Sequence, residues 1–549
     1  MALYGARHGM THKSADDIFK KQFDVIVIGA GINGAGIARD AALRGLKVLL
    51  LDKGDIGGGT SSWSTRLIHG GLRYLEHGEF GLVRESLRER AYLMNIAPHL
   101  VRPLAMLVPV YKNARRGIWT VRAGMILYDA LSPHKTVPRH RMLSPTETLQ
   151  QAPDLNREGL LGAAVYFDAQ VEFAERLVLE NTLDAVAHGG TVVTYARVNK
   201  LDIDKENVSS VEFTNLLTRE NYSASAKIVI NAAGPWIDEV LEGVGNSPRL
   251  IGGTKGSHVI VAPFAGASKT AIYVEAETDH RPFFIIPWNG NYLIGTTDIR
   301  YDGDLDNIQI DQNEIEYLLR ETNRVIPKAK LTRGHVLYSY SGVRPLPFVN
   351  EKDEQSITRK HFIRRHPHSD NLFSIVGGKL TTYRSLAEQT INLVFKKLRR
   401  RPVRCTTARK HLPGAAAPDY DVFCTDFRQH SNLPKATNDR LLRIYGIRSR
   451  LMLDLVEKEP SLAESFDSET GAIAAEVVFS FNQELAERLT DCLLRRTMVG
   501  LNSSCGLNAV EAAAYVACKH LGWSEVRAEE EIAAYREEVR RRFRNGMPN

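Results

Sequence analysis

The apolar positions of this chain change period as it runs, and each change marks a unit. Residues 23–52 open with the apolar run FDVIVIG, continue through AGINGAGIARDAALRG with small residues at its start, and close with KVLLLD. An apolar run, a tight turn, an amphipathic stretch and a second apolar run predict a strand, a helix and a parallel strand. Helical spacing (GLVRESLRERAYLM) and strand spacing (TVVTYARVNKLDID, VSSVEFTN) then alternate up to the apolar strand KIVINAAG at 227–234. From about 247 to 370 the pattern is alternating and aromatic-rich, in SHVIVAP, AIYVEAE and RPFFIIPW. The last is joined to YLIGTTD through Asn289-Gly290-Asn291, whose Asn-Gly pair suits a hairpin turn. This stretch predicts an antiparallel sheet. LFSIVGG and LTTYRSLAEQTINLVFKKL predict a strand and helix returning to the first unit, and beyond 404 nearly everything has helical periodicity. The expected division is therefore a tail at 1–20, an α/β domain from 21–246 and 371–404, an antiparallel-sheet domain at 247–370, and a helical domain at 405–549.

Length supports several domains, since 549 residues exceed what one core encloses. No apolar run approaches the roughly 20 residues of a membrane-spanning helix, so any membrane contact is expected to be peripheral. The first 20 residues lack the apolar stretch of a secretory signal. The five cysteines, Cys405, Cys424, Cys492, Cys505 and Cys518, are odd in number and widely spaced, which fits a reducing cytoplasmic compartment. None forms a CxxC pair, and HFIRRHPH at 361–368 reads as a solvated loop, so no metal is expected. The net charge of +7 gathers in two runs, Lys396 to Arg404 and Arg540 to Arg544. Such runs are ordinarily solvated helix ends; attraction to anionic lipid is the second reading, and no nucleic-acid motif accompanies them.

Specific chemistry enters at the first turn. Gly29, Gly31 and Gly34 satisfy GxGxxG directly after an apolar strand, and Asp52 ends the next strand about 20 residues on. Gly29 permits the turn, Gly31 lets backbone approach a pyrophosphate, Gly34 allows close helix packing, and Asp52 can accept from an adenosine ribose. This is a Rossmann-like dinucleotide signature, and it does not by itself distinguish FAD from NAD. Residues 54–76, GDIGGGTSSWSTRLIHGGLRYLE, read either as a turn-rich surface loop or as a loop wrapped along a flavin.

These segments, with NAAGPW, KGSH, IGTTD, YSGVRP, ITR and GGKLTTYR between 231 and 384, closely resemble the FAD-dependent glycerol-3-phosphate dehydrogenases, within the D-amino-acid-oxidase-like flavoproteins. The C-terminal helices resemble the domain appended in that group. Residues 1–20 have no counterpart, Met498 stands where similar proteins often carry a basic residue, and no DxDxDG calcium loop is present. The resemblance implies non-covalent FAD in a Rossmann-like domain, an antiparallel substrate domain, and oxidation of sn-glycerol 3-phosphate to dihydroxyacetone phosphate. It also implies ubiquinone or menaquinone as acceptor and a place on the inner face of the cell membrane, and it leaves room for a homodimer. An oxygen-using oxidase of the same substrate and a non-catalytic flavin-binding scaffold are the alternatives.

A phosphate monoester carries about two negative charges and needs several donors, each charge-assisted bond contributing on the order of 1.5–3 kcal/mol. The resemblance carries substrate contact to Arg73, Tyr74, Arg344, Arg359 and Lys379. It carries flavin contact to Ser61, Ser64, Gly234, Gly378, Lys379, Leu380 and Thr381, the last four expected to open a helix whose N-terminus faces the flavin. Alcohol oxidation needs a base, and His258 is favoured because an ordinary imidazole pKa near 6.5 suits neutral pH, with Arg344 as its electrostatic partner. For membrane docking, YKNARRGIWTVRAGMILYDAL at 111–131 has the composition of an interfacial helix; a core helix with basic flanks is the other reading.

Overall fold

A computed structural model describes residues 22–132, 136–245, 247–349 and 359–543. The expected tail at 1–20 lies outside the described residues.

The opening signature folds as expected. Strand Phe23–Ile28 leads through the glycine turn into helix Ile32–Leu43 and on to strand Val48–Leu51, which pairs with the first in parallel. Both strands are buried throughout, so their unbroken apolar character reflects two covered faces. Strands Ala226–Asn231 and Leu372–Val376 extend the sheet on one side and Thr191–Val193 on the other. Helix Tyr383–Lys397 returns to pack on Ile32–Leu43, as the periodicity at 380–398 predicts. A meander of Ala196–Asp204, Asn207–Asn215 and Asn221–Ala224 lies beside this layer.

The antiparallel sheet departs from the expected boundaries at both ends. It contains Thr254–Val261, Ala271–Glu275, Pro282–Trp288, Asn291–Gly295 and Val336–Arg344, but also Val101–Tyr111 and Leu160–Val171, far upstream of 247. Residues 362–365, expected as a solvated loop of this domain, instead form a strand that pairs with Leu372–Val376 in the cofactor-side sheet. The reason is pairing partner: a strand's own pattern shows that one face is buried, not which sheet covers it. The hairpin at 289–290 forms as read, with Trp288 opposite Asn291 and positive φ at Asn289 (48°) and Gly290 (76°).

The helices of the C-terminal domain pack tightly on the rest of the chain. Their apolar residues form one continuous core with the antiparallel sheet, where Phe543 meets the rings of Trp63 and Tyr338 edge-on. Buried ion pairs reinforce the join: Arg176 with Glu484, and both Arg495 and Arg496 with Asp55.

Candidate active site

The cofactor half is made of backbone. Gly29 sits at φ +102°, and a Cβ there would lie 2.6 Å from the Ala232 carbonyl oxygen. A Cβ on Gly34 would lie 1.8 Å from the Gly29 oxygen, so this glycine serves packing and not a cavity wall. Gly31 starts helix Ile32–Leu43 without any side-chain cap, leaving first-turn N–H groups for a ligand. Ile32 N–H donates to Ser61 Oγ at 3.0 Å, which brings the Gly/Ser-rich loop onto the helix end. Asp52 accepts from Ala30 N–H at 2.5 Å and Gly54 N–H at 2.8 Å, holding the turn in shape.

These residues surround a cavity of about 1040 Å³ whose lining includes Gly29, Gly31, Asp52, Ser61, Ser64, Gly234, Gly378, Lys379 and Leu380. That volume is at the top of the roughly 300–1,000 Å³ that ligand clefts span. Asn33 Oδ1 and Trp236 Nε1, both on lining residues, are buried without a hydrogen-bond partner. A long, partly polar group with several acceptors and donors fits such walls. Thr381 differs from expectation: it does not line the cavity, and its hydroxyl accepts from the His69 backbone N–H at 3.1 Å. The helix that Gly378–Thr381 were expected to open starts later, at Tyr383, so the four residues form the turn before it.

The substrate half is made of side chains. Arg344, at the end of strand Val336–Arg344, and Arg359 each reach Asp298 at 3.0 Å, one on each carboxylate oxygen. Arg344 also donates to the Thr296 hydroxyl at 3.0 Å. The Lys379 ammonium lies 4.4 Å from the Tyr74 ring centre and donates to Ser86 Oγ at 2.7 Å. Arg73 and Tyr74 occupy the short helix Arg73–Glu76 and feel the charge of Arg359, and Tyr74 that of Arg344 as well. All five expected substrate residues are thus within one electrostatic neighbourhood. Burial alone would raise the Asp298 carboxyl, but Arg344 and Arg359 outweigh it and hold the group at about 2. Burial lowers the Lys379 ammonium to about 7, against the pull of Glu85 and Glu79.

His258 lies on strand Thr254–Val261, which pairs along its length with Val336–Arg344. It is 1% exposed; Nε2 is 2.9 Å from the Thr65 hydroxyl, and Nδ1 has no hydrogen-bond partner among the described residues. Its basicity is not the ordinary one expected: burial, then Arg344 and Arg66, push the imidazole well below its usual range. Arg66, from the same glycine-rich loop, is fully buried against Glu175 and Trp288 and holds that loop in place.

Residues 24–384 match the family model of FAD dependent oxidoreductases, and 405–528 match the C-terminal domain of alpha-glycerophosphate oxidase. A glycerol-3-phosphate dehydrogenase of Synechocystis is 47% identical over 535 residues, covering 95% of this chain and 97% of that one. The chain belongs to the FAD-dependent glycerol-3-phosphate dehydrogenase family. Within it, an aerobic glycerol-3-phosphate dehydrogenase of Staphylococcus aureus is 33% identical with 94% of each chain covered. A Bacillus halodurans glycerol-3-phosphate dehydrogenase solved with FAD superposes at a TM-score of 0.78, at 29% identity over 96% of this chain and 97% of that one. An L-alpha-glycerophosphate oxidase of Mycoplasma pneumoniae, also with FAD, shares the fold at a TM-score of 0.54 and 18% identity, over 68% of this chain and 95% of that one.

FAD is therefore the cofactor, and the cavity's donors and glycines fit it. Three residues inside the quoted motifs were given no role in the sequence reading. Asp298 closes IGTTD, and a cluster of cations in a buried site calls for such a counter-ion. Thr65 holds the histidine ring. His69, half-buried within the fields of Asp168, Lys379 and Arg90, is lowered to about 4, chiefly by desolvation, and is a second neutral imidazole near Lys379.

Proposed function

We propose that this chain oxidises sn-glycerol 3-phosphate to dihydroxyacetone phosphate and passes the electrons to a respiratory quinone, ubiquinone or menaquinone, at a membrane surface. The observation that carries the substrate is the convergence of Arg73, Tyr74, Arg344, Arg359 and Lys379, since one arginine suffices for a carboxylate whereas a dianionic phosphate calls for several donors. Asp298 fixes Arg344 and Arg359 in place before substrate arrives.

Bound FAD supplies the acceptor for the hydride leaving the secondary carbinol carbon. His258, its ring held through Nε2 by the Thr65 hydroxyl, takes the hydroxyl proton. Burial, then Arg344 and Arg66, depress this base; an anionic substrate beside the Arg344 guanidinium offsets that part of the field. Arg344 stabilises the developing alkoxide.

No helix of the described residues is long and apolar enough to cross a membrane. Helix Ile118–Ala130 buries Met125 and Tyr128 and exposes Trp119, Ile126 and Leu127, with the Arg122 guanidinium 5.6 Å from the Trp119 ring centre. An apolar outer face with cations beside it suits the interface of an anionic bilayer. Arg116 is not part of that face, because it pairs with Glu76 and Glu275. A Trp119→Ala, Arg122→Ala variant is expected to sediment less with anionic vesicles than the parent; equal sedimentation removes this patch.

The test of the reaction is an anaerobic flavin spectrum before and after sn-glycerol 3-phosphate, with glycerol and a 2-hydroxy acid in parallel. Bleaching by the phosphate ester alone is expected. An unchanged spectrum in flavin-loaded protein overturns the reading in favour of a scaffold. The match of 405–528 to an oxidase domain keeps oxygen as the second acceptor to test, and re-oxidation rates with quinone and with oxygen separate the two.

A further inference from the structure

We infer that the C-terminal domain completes the FAD site, with Arg542 of the last helix and Arg488 holding the cofactor's diphosphate from the side opposite the glycine-rich turn. The inference rests on FAD as cofactor and is independent of the substrate.

The cavity at the glycine turn is closed on its other side by residues from beyond 487. Ala534, Glu538, Arg541 and Arg542 line it from helix Glu525–Phe543, and Arg488 and Arg495 from the segment before. Positions 534, 538, 541 and 542 follow the spacing of one helical face. The neighbouring face, Tyr535, Val539 and Phe543, is buried in the shared core, so the cavity-facing stripe is fixed by packing. Most of this helix lies beyond the residues matched by the C-terminal domain model, which end at 528.

Charge explains why that wall is basic. The turn Gly29–Gly34, GAGING, offers backbone N–H groups but no cationic side chain, while a diphosphate brings full negative charge. Arg542 stacks on Trp63, 5.4 Å from its ring centre, two residues after the Ser61 that takes the helix's first amide. Arg488 lies over the Tyr195 ring at 5.4 Å, next to the Ala196 whose N–H bonds the Asp52 carbonyl. The two guanidiniums thus line the same cavity as the turn, each anchored on an aromatic ring beside a segment that holds it.

Neither is fully served by protein. Glu538 is shared between Arg541 and Arg542. Arg542 is lowered by burial and by the neighbouring Arg541 and Arg495, a field that an anion would relieve. Arg488 makes no ion pair among the described residues, and its Nε is buried without a partner. Arg495, by contrast, is committed to Asp55 and Asp491 and acts as the rivet that keeps the wall in place.

The experiment uses full-length apo-protein in two ways. Titration with FAD, followed by flavin fluorescence, is expected to show about tenfold weaker binding for Arg542→Gln and for Arg488→Gln and about a hundredfold for the pair, each loss being that of one charge-assisted contact. The apo-protein melting temperature should stay at the parent value. Unchanged FAD affinity overturns the inference, as does a loss that tracks a fall in apo melting temperature, which marks a purely structural role. Independently of any substitution, hydrogen exchange in residues 534–543 of the parent should slow when FAD is added. Equal exchange with and without FAD also overturns it.

Discussion

The cofactor cavity and the substrate cluster meet at Lys379, yet they draw on different parts of the chain's chemistry. On the cofactor side, the working groups are backbone N–H donors shaped by Gly29 and Gly31 and drawn from a short, contiguous stretch. On the proposed substrate side they are guanidiniums, an ammonium and a phenol from four separated segments, two of the guanidiniums paired with Asp298. A backbone turn tolerates almost no change of shape, and its charge complement comes from the wall that faces it. A side-chain site is tuned by mutual electrostatics, so its parts titrate and substitute in graded steps.

That contrast can be broken most sharply at Gly29. Gly29→Val puts a branched side chain at φ +102° against the Ala232 carbonyl and is expected to abolish FAD retention, read as the ratio of flavin to protein absorbance. A holo-protein with normal flavin content would end the claim that backbone shape governs this half. On the other side, His258→Asn should keep its flavin while flavin reduction slows by about 10²–10⁴-fold, the usual worth of a positioned base. Arg344→Met should cost about a hundredfold in kcat/KM, again with FAD retained. An unchanged reduction rate in the histidine variant would pass the role of base elsewhere, with His69 next in line.

The smallest expected effect is a pH dependence. Lys379, lowered by burial to about 7, is charged below that pH and neutral above it. Phosphate binding favours the cation, so affinity for the substrate should fall as pH rises through 7, by at most about tenfold per pH unit. KM measured across this range should rise in the parent and stay flat in Lys379→Arg, whose guanidinium does not titrate there. Asp298 does not contribute to this limb, because Arg344 and Arg359 keep it a carboxylate down to about 2.

Burial turned out to be the variable that composition could not supply. The histidine at 258 has the residue type of a neutral-pH base, but its place on a covered strand beside Arg344 depresses it. Arg116 has the composition of a lipid-facing cation, but two carboxylates claim it. Arg495 and Arg496 sit in a segment whose role the chain did not disclose, and they fasten the C-terminal helices to Asp55, the third residue after Asp52.

By itself the sequence determined the opening strand, turn and helix, the hairpin at Asn289-Gly290 and the return of 372–397 to the first sheet. These are set by local rules: apolar periodicity, positive-φ turns and motif spacing act over a few residues and survive in any context. Only the tertiary structure decided that strands 101–111 and 160–171 join the antiparallel sheet, that 362–365 form a strand of the cofactor-side sheet, and that the C-terminal helices wall the cofactor cavity. Pairing partners, dielectric surroundings and counter-ions come from residues hundreds of positions apart, and no local pattern records which of them will meet.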